Sequence, residues 1–151
     1  MANKYSLPQF EISLKNKVKA SERISIKNSL DCAAVCRECF DADTIEWTES
    51  AIVIGLNNAN KVLGFYKVSS GGTGGTVVDP KVILQFALLS NSTSIILAHN
   101  HPSGSLTPSE ADIKATRKIK EGAKLLDITL FDHLIITSEG HVSMAEEGLI
   151  Y

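Results

Sequence analysis

The stretch SIILAHNHPSGSLTPSEAD, residues 94–112, decides how the rest of this chain is read. It opens with a short, wholly apolar run, Ser94–Ala98, the pattern of a central strand covered on both faces. A polar loop is expected over His99–Leu106, broken by Pro102, Ser103 and Gly104. Thr107–Pro108–Ser109–Glu110 then has the form of a capping box with proline at the first helical position, which predicts a helix running to about Leu125. His99 and His101 stand two apart at the strand end, so their side chains point the same way. Asp112, three residues after Ser109, shares a helical face with it and can converge on the histidine pair across the loop. Two neutral imidazoles, one carboxylate and a fourth position left to water make the donor set of a catalytic zinc site. Such a site also needs a proton carrier that is not a ligand. Glu49, immediately before an apolar strand, is the candidate, with Glu46 as the alternative.

Outward from this stretch, strands and helices alternate, which argues for an α/β fold with a mixed sheet flanked by helices. Residues 50–56 and 61–68 read as two strands joined by a turn at Asn57–Asn60. Asp79–Pro80 caps a helix to about Ser90 on the stripe Val82, Ile83, Phe86 and Leu89. After the second helix, Asp127–Met144 reads as a strand, a turn at Ser138–Gly140 and a further short strand. Upstream, residues 5–14 suggest an edge strand and 29–40 a helix with one apolar stripe.

The chain has 151 residues, 44% hydrophobic and 21% charged, the size and composition of one ordinary globular domain. At that length about 70% of the unfolded surface can be buried without disulfides or a structural metal. A net charge of −2 argues against nucleic acid as the direct ligand. A local patch at Lys114, Arg117, Lys118, Lys120 and Lys124 reads as a solvated helix face. No signal peptide and no membrane-length apolar run is evident, and three cysteines fit a reducing, cytoplasmic setting. Oligomeric state is not legible.

Three competing patterns are set aside. Cys32, Cys36 and Cys39 have the spacing of an iron–sulfur motif, but they lie on the apolar stripe of a helix and read as small hydrophobes. A cytidine deaminase needs H-x-E and a downstream P-C-x-x-C, and neither is present. The glycines at 71, 72, 74 and 75 match no phosphate-binding pattern and read as a mobile loop, with a substrate-contacting flap as one use for it. His133 is read as a core histidine or as a partner orienting a ligand, and His141 as a surface residue.

The order His99-x-His101-x7-Ser109-x2-Asp112, with a glutamate at an upstream strand start, resembles the JAMM motif of MPN/JAB metallopeptidases. The wording HNHPSG…PSxxD and the Asp132–His133 pair before an apolar strand look like the RadC branch of that family. The resemblance covers roughly residues 45–150, with 1–44 as a short extension (strand plus helix) packed on it. It implies a cytidine-deaminase-like fold, Zn2+ on His99, His101 and Asp112, Glu49 as general acid/base and Ser109 as oxyanion donor. The implied substrate is a peptide or isopeptide bond in a peptide or protein. Longer RadC proteins match only in their C-terminal half and carry a helix-hairpin-helix region that residues 1–44 are too short to hold. The rival readings are a non-catalytic accessory domain in DNA repair or DNA metabolism, and an interaction module of MPN type.

Overall fold

A computed structural model describes residues 6–11, 13–71 and 78–150. Five strands form one sheet: β1 (Ser50–Leu56), β2 (Val62–Ser70), β3 (Ser94–Asn100), β4 (Thr129–Ile136) and β5 (His141–Ser143), in the order β2-β1-β3-β4-β5. The β3–β4 pair is parallel and the other pairs are antiparallel, so the sheet is mixed, as the alternation of elements predicts. Three helices, α1 (Ser29–Glu38), α2 (Pro80–Leu89) and α3 (Glu110–Leu125), cover it.

Burial divides the strands by parity. Ile52, Ile54, Ile96 and Ala98 face α1, where they pack with Cys32, Ala33 and Cys36. Val53, Ile95 and Leu97 face α2 and α3, against Ile83, Ala87, Ile119 and Ala123. Every residue of β1 is buried, and β3 is buried from Ile95 onward, which explains why both read as unbroken apolar runs. Gly55 lets β1 pass close under α2: a Cβ there would lie 2.1 Å from Ser92 Oγ. The cysteines are core residues, and burial raises Cys32 to about 12 and Cys39 to about 11. Thiolate chemistry is thereby disfavoured and the iron–sulfur pattern is coincidental.

Several expectations shift. The described part of residues 5–14 forms no strand: Leu7, Phe10 and Leu14 are exposed, and no neighbouring strand pairs with the segment. β3 extends through Asn100, so His99 lies within the strand and not in the loop after it. Helix α3 starts two residues later than the Thr107 box suggests. Its N-cap is Ser109, which exchanges bonds with Asp112: the Asp112 N–H donates to Ser109 Oγ (3.0 Å) and the Ser109 N–H to Asp112 Oδ2 (2.8 Å). Two overlapping boxes exist in the sequence, and the second is the one whose reciprocal bonds form. Asp112 therefore sits in the first turn. β2 runs through Ser70, and most of the glycine loop (72–77) lies outside the described residues.

Candidate metal centre

The centre lies where the C-terminal end of β3 meets the start of β1 and the N-terminus of α3. In the antiparallel β1–β3 register Ala51 pairs with His99, so continuing it brings Glu49 opposite His101. Paired residues share a face, which directs Glu49, His99 and His101 to the α3 side. Their carboxylate oxygen and ring nitrogens all lie within 4.8 Å of one another, close enough to hold a metal ion. From α3, Asp112 Oδ2 stands 3.4 Å from His99 Nε2 and 3.7 Å from His101 Nε2. The two Nε2 atoms are 3.0 Å apart. Ser109, as helix cap, is held one turn from this cluster by Asp112. Glu46, the alternative to Glu49, points elsewhere: its carboxylate accepts the Ser138 hydroxyl.

Backbone carbonyls assign the imidazole protons. Thr116 Oγ1 lies 2.6 Å from the Asp112 carbonyl, which can only accept, so the threonine proton points there. Thr116 Oγ1 must then accept from His133 Nδ1–H, 2.6 Å away. That leaves His133 Nε2 as an acceptor for His99 Nδ1–H at 2.8 Å. His101 Nδ1–H likewise donates to the Ser105 carbonyl at 2.8 Å. Both Nε2 atoms therefore carry lone pairs, and these face each other and the Asp112 carboxylate with no proton donor between them. Such a cluster attracts a cation.

Charge behaviour agrees. The Asp112 carboxylate, helped by the Ser105 carbonyl, raises the His101 pKa against the opposing effect of burial. Burial works to raise Asp112, but His101, His99 and the Ser109 N–H outweigh it and hold its carboxyl well below the usual range. His133, fully enclosed, is pushed down to about 3 by burial and then by His99, so it stays neutral. Both readings left open for it describe what is seen: it is a buried histidine with both ring nitrogens bonded, and one of those bonds holds the His99 ring.

The chain belongs to the RadC-like JAB domain family. Its family profile matches residues 26–149, a span that takes in α1 and the whole sheet. Three curated relatives that it resembles carry the name "UPF0758 protein". One from Flavobacterium johnsoniae is 45% identical over 97 residues, 64% of this chain and 42% of the relative. One from Salinibacter ruber is 43% identical over 98 residues, 65% and 42% of the two chains. A third, from Methanosarcina acetivorans, is 41% identical over 102 residues, 68% and 44%. The matched region thus spans well under half the length of these relatives.

Three residues of this RadC-like JAB domain support the centre in ways the motif wording gives no role for. Asn100, between the two histidines and wholly buried, donates to the Ile45 and Thr48 carbonyls (2.7 and 2.9 Å) and accepts from Ser50 N–H (2.8 Å). It thereby fastens the segment carrying Glu49 to β3. A polar residue ending an apolar strand was the available signal. Thr116 left none, and Asp132 showed only as half of the Asp132–His133 pair. Asp132 accepts from Ser143 Oγ, His133 N–H and Ala145 N–H and so ties β5 to β4, while burial raises its pKa against those bonds. No helix among the described residues is long and apolar enough to cross a membrane.

Proposed function

We propose that this domain is a zinc-dependent hydrolase of JAMM type that cleaves an amide bond, peptide or isopeptide, in a peptide or protein. The observation carrying this reading is the donor cluster. Three acceptors stand 3.0, 3.4 and 3.7 Å apart with no donor between them. Zinc bonds of about 2.0–2.1 Å place tetrahedral ligands roughly 3.3 Å apart, which these spacings bracket. Imidazole with carboxylate suits zinc, and a three-ligand set leaves the open position that a catalytic site requires. This reading takes His99, His101 and Asp112 as the ligands and gives Glu49, whose carboxylate also lies within 4.8 Å of the two imidazoles, the role outside them.

When bound, zinc supplies a Lewis acid that polarises a carbonyl and brings the pKa of water to about 7. The protein's own residues do the rest. Glu49 takes the proton of the attacking water and returns it to the leaving nitrogen, a role worth about 10²–10⁴ in rate. Ser109 Oγ already accepts the Asp112 N–H, so its own proton is available to the carbonyl oxygen as that oxygen gains charge. Thr116 and His133 keep the His99 lone pair turned toward the metal. The ligand on this reading is protein, not nucleic acid, in keeping with the net charge of −2. Three free thiols are in keeping with a cytoplasmic setting.

Metal analysis of protein purified without chelator tests this first. About one zinc per chain is expected, lost in the His99→Ala/His101→Ala double variant, followed by zinc-dependent cleavage in a peptide and isopeptide screen. Glu49→Gln is expected to keep zinc and lose turnover. Absence of metal even after zinc addition would overturn the hydrolase reading, and turnover surviving Glu49→Gln would remove Glu49 from it.

A further inference from the structure

Beside the metal centre lies a cavity of about 380 Å³, within the roughly 300–1,000 Å³ range of ligand pockets. Its walls are the loop 102–104 with Leu106, the β4–β5 turn from Thr137 to Gly140, and Glu46. Two exposed carboxylates, Glu46 and Glu139, line it together with Thr137 and Ser138, and among the described residues no lysine, arginine or histidine does. Pro102 and Leu106 supply apolar wall. A long side chain with a cationic tip meets its needs there: methylenes against Leu106 and Pro102, charge toward the carboxylates.

The rim is held in place before anything binds. Arg37 reaches from α1 and donates to the carbonyls of Thr137 (2.6 Å) and Gly140 (3.0 Å), so this cation braces the turn from behind without lining the cavity. The Gly140 N–H donates to Thr137 Oγ1 (2.9 Å), and the Ser138 hydroxyl bridges to Glu46. The same loop carries a proposed zinc ligand: His101 opens it, its N–H bonds the Ile136 carbonyl (3.0 Å) and its ring holds the Ser105 carbonyl. Cavity and centre therefore share one loop and one strand end.

We infer that this cavity takes a lysine or arginine side chain of the substrate, flanking the amide bond presented to the metal centre. That the bound molecule is a peptide rests on the hydrolase reading; the preference for a cationic side chain rests on the cavity. Trp47, the only tryptophan, adjoins Glu46 in sequence and is 77% exposed, so its emission serves as a local reporter.

The test uses the zinc-loaded chain with two small probes, Nα-acetyl-lysine N-methylamide and its norleucine counterpart. Binding is read by amide shifts and by Trp47 emission. Expected are saturable shifts at Ser103, Gly104, Ser138 and Gly140, with the lysine probe at least tenfold tighter than norleucine. Glu46→Gln/Glu139→Gln should abolish that difference, while the unaltered chain stripped of metal, whose His101 ring still holds the Ser105 carbonyl, should retain it. Equal binding of the two probes to the unaltered chain would overturn the inference, even if the glutamine variant failed to fold. A lysine preference unchanged in a folded glutamine variant would overturn it too. Probe selectivity without cleavage of any peptide would sink the hydrolase reading and spare the cavity. Cleavage with kcat/KM indifferent to lysine or norleucine beside the scissile bond would do the reverse.

Discussion

Thr116→Val isolates the hydroxyl that sets the proton order at the metal centre. The substitution conserves shape, but it deletes both the acceptor of His133 Nδ1–H (2.6 Å) and the donor to the Asp112 carbonyl (2.6 Å). Two responses are open to His133, which is 1% exposed. If it keeps its proton on Nδ1, a buried donor is left unpaired at a cost of about 1–3 kcal/mol in stability. If the proton moves to Nε2, it faces His99 Nδ1, which must become an acceptor, and the His99 proton then sits on Nε2, where the lone pair for zinc was. The same 1–3 kcal/mol is then charged to metal binding, roughly 5–150-fold in Kd, at 1.4 kcal/mol per tenfold. Zinc competition against a chromophoric chelator reads the second response, and urea melts of the metal-free protein read the first. The variant is expected to bind zinc about 10–100-fold more weakly, with Thr116→Ser restoring affinity. A zinc Kd within twofold of the original protein together with an unchanged urea midpoint would refute the proton relay.

Ser109→Ala removes both a helix cap and the proposed oxyanion donor. It is expected to cost about 1 kcal/mol in a urea melt and, separately, about 10²–10³ in kcat; a stability loss with unchanged kcat would leave Ser109 a cap alone. Metal-free protein should lose stability as pH falls below 6.5, because His133 charges in the unfolded chain near 6.5 but in the folded one only near 3. The unfolded state binds the extra proton, so stability rises with pH across that window, by up to about 1.4 kcal/mol per unit. His101 acts oppositely: its folded pKa is raised, so its contribution is complete below 6.5 and fades as pH rises through the folded value. Urea midpoints that stay flat from pH 6.5 to 4 would contradict this. Gly55→Ala should destabilise by roughly 1–3 kcal/mol, since the added methyl meets Ser92 Oγ at 2.1 Å and Phe86 Cε1 at 3.3 Å; an unchanged melting temperature would show that the β1–α2 contact yields more easily than the packing implies.

Much of this protein is written locally. The spacing of His99 and His101, the apolar runs of β1 and β3 and the cap at Asp79 depend on neighbours a few residues apart, and pattern reading recovers them. The start of α3 was legible only as a choice between two boxes, since Thr107–Glu110 and Ser109–Asp112 satisfy the same local rule. The described part of the edge strand suggested for residues 5–14 finds no partner, because pairing is a property of two segments and only one was in view.

What only the tertiary structure decided is the parity of β4 and the order of protons behind the ligands. Leu130 and Leu134 are four apart in one strand yet face opposite sides of the sheet, because the β3–β4 register shifts between Ile95 and Ile96. Without that extra residue His133 would face α1. With it, His133 pairs with Leu97 and turns toward α3, between His99 and Thr116. A strand's own alternation does not reveal where its partner skips a residue, so the residue types of the centre were readable from the chain while the bonds orienting them were not.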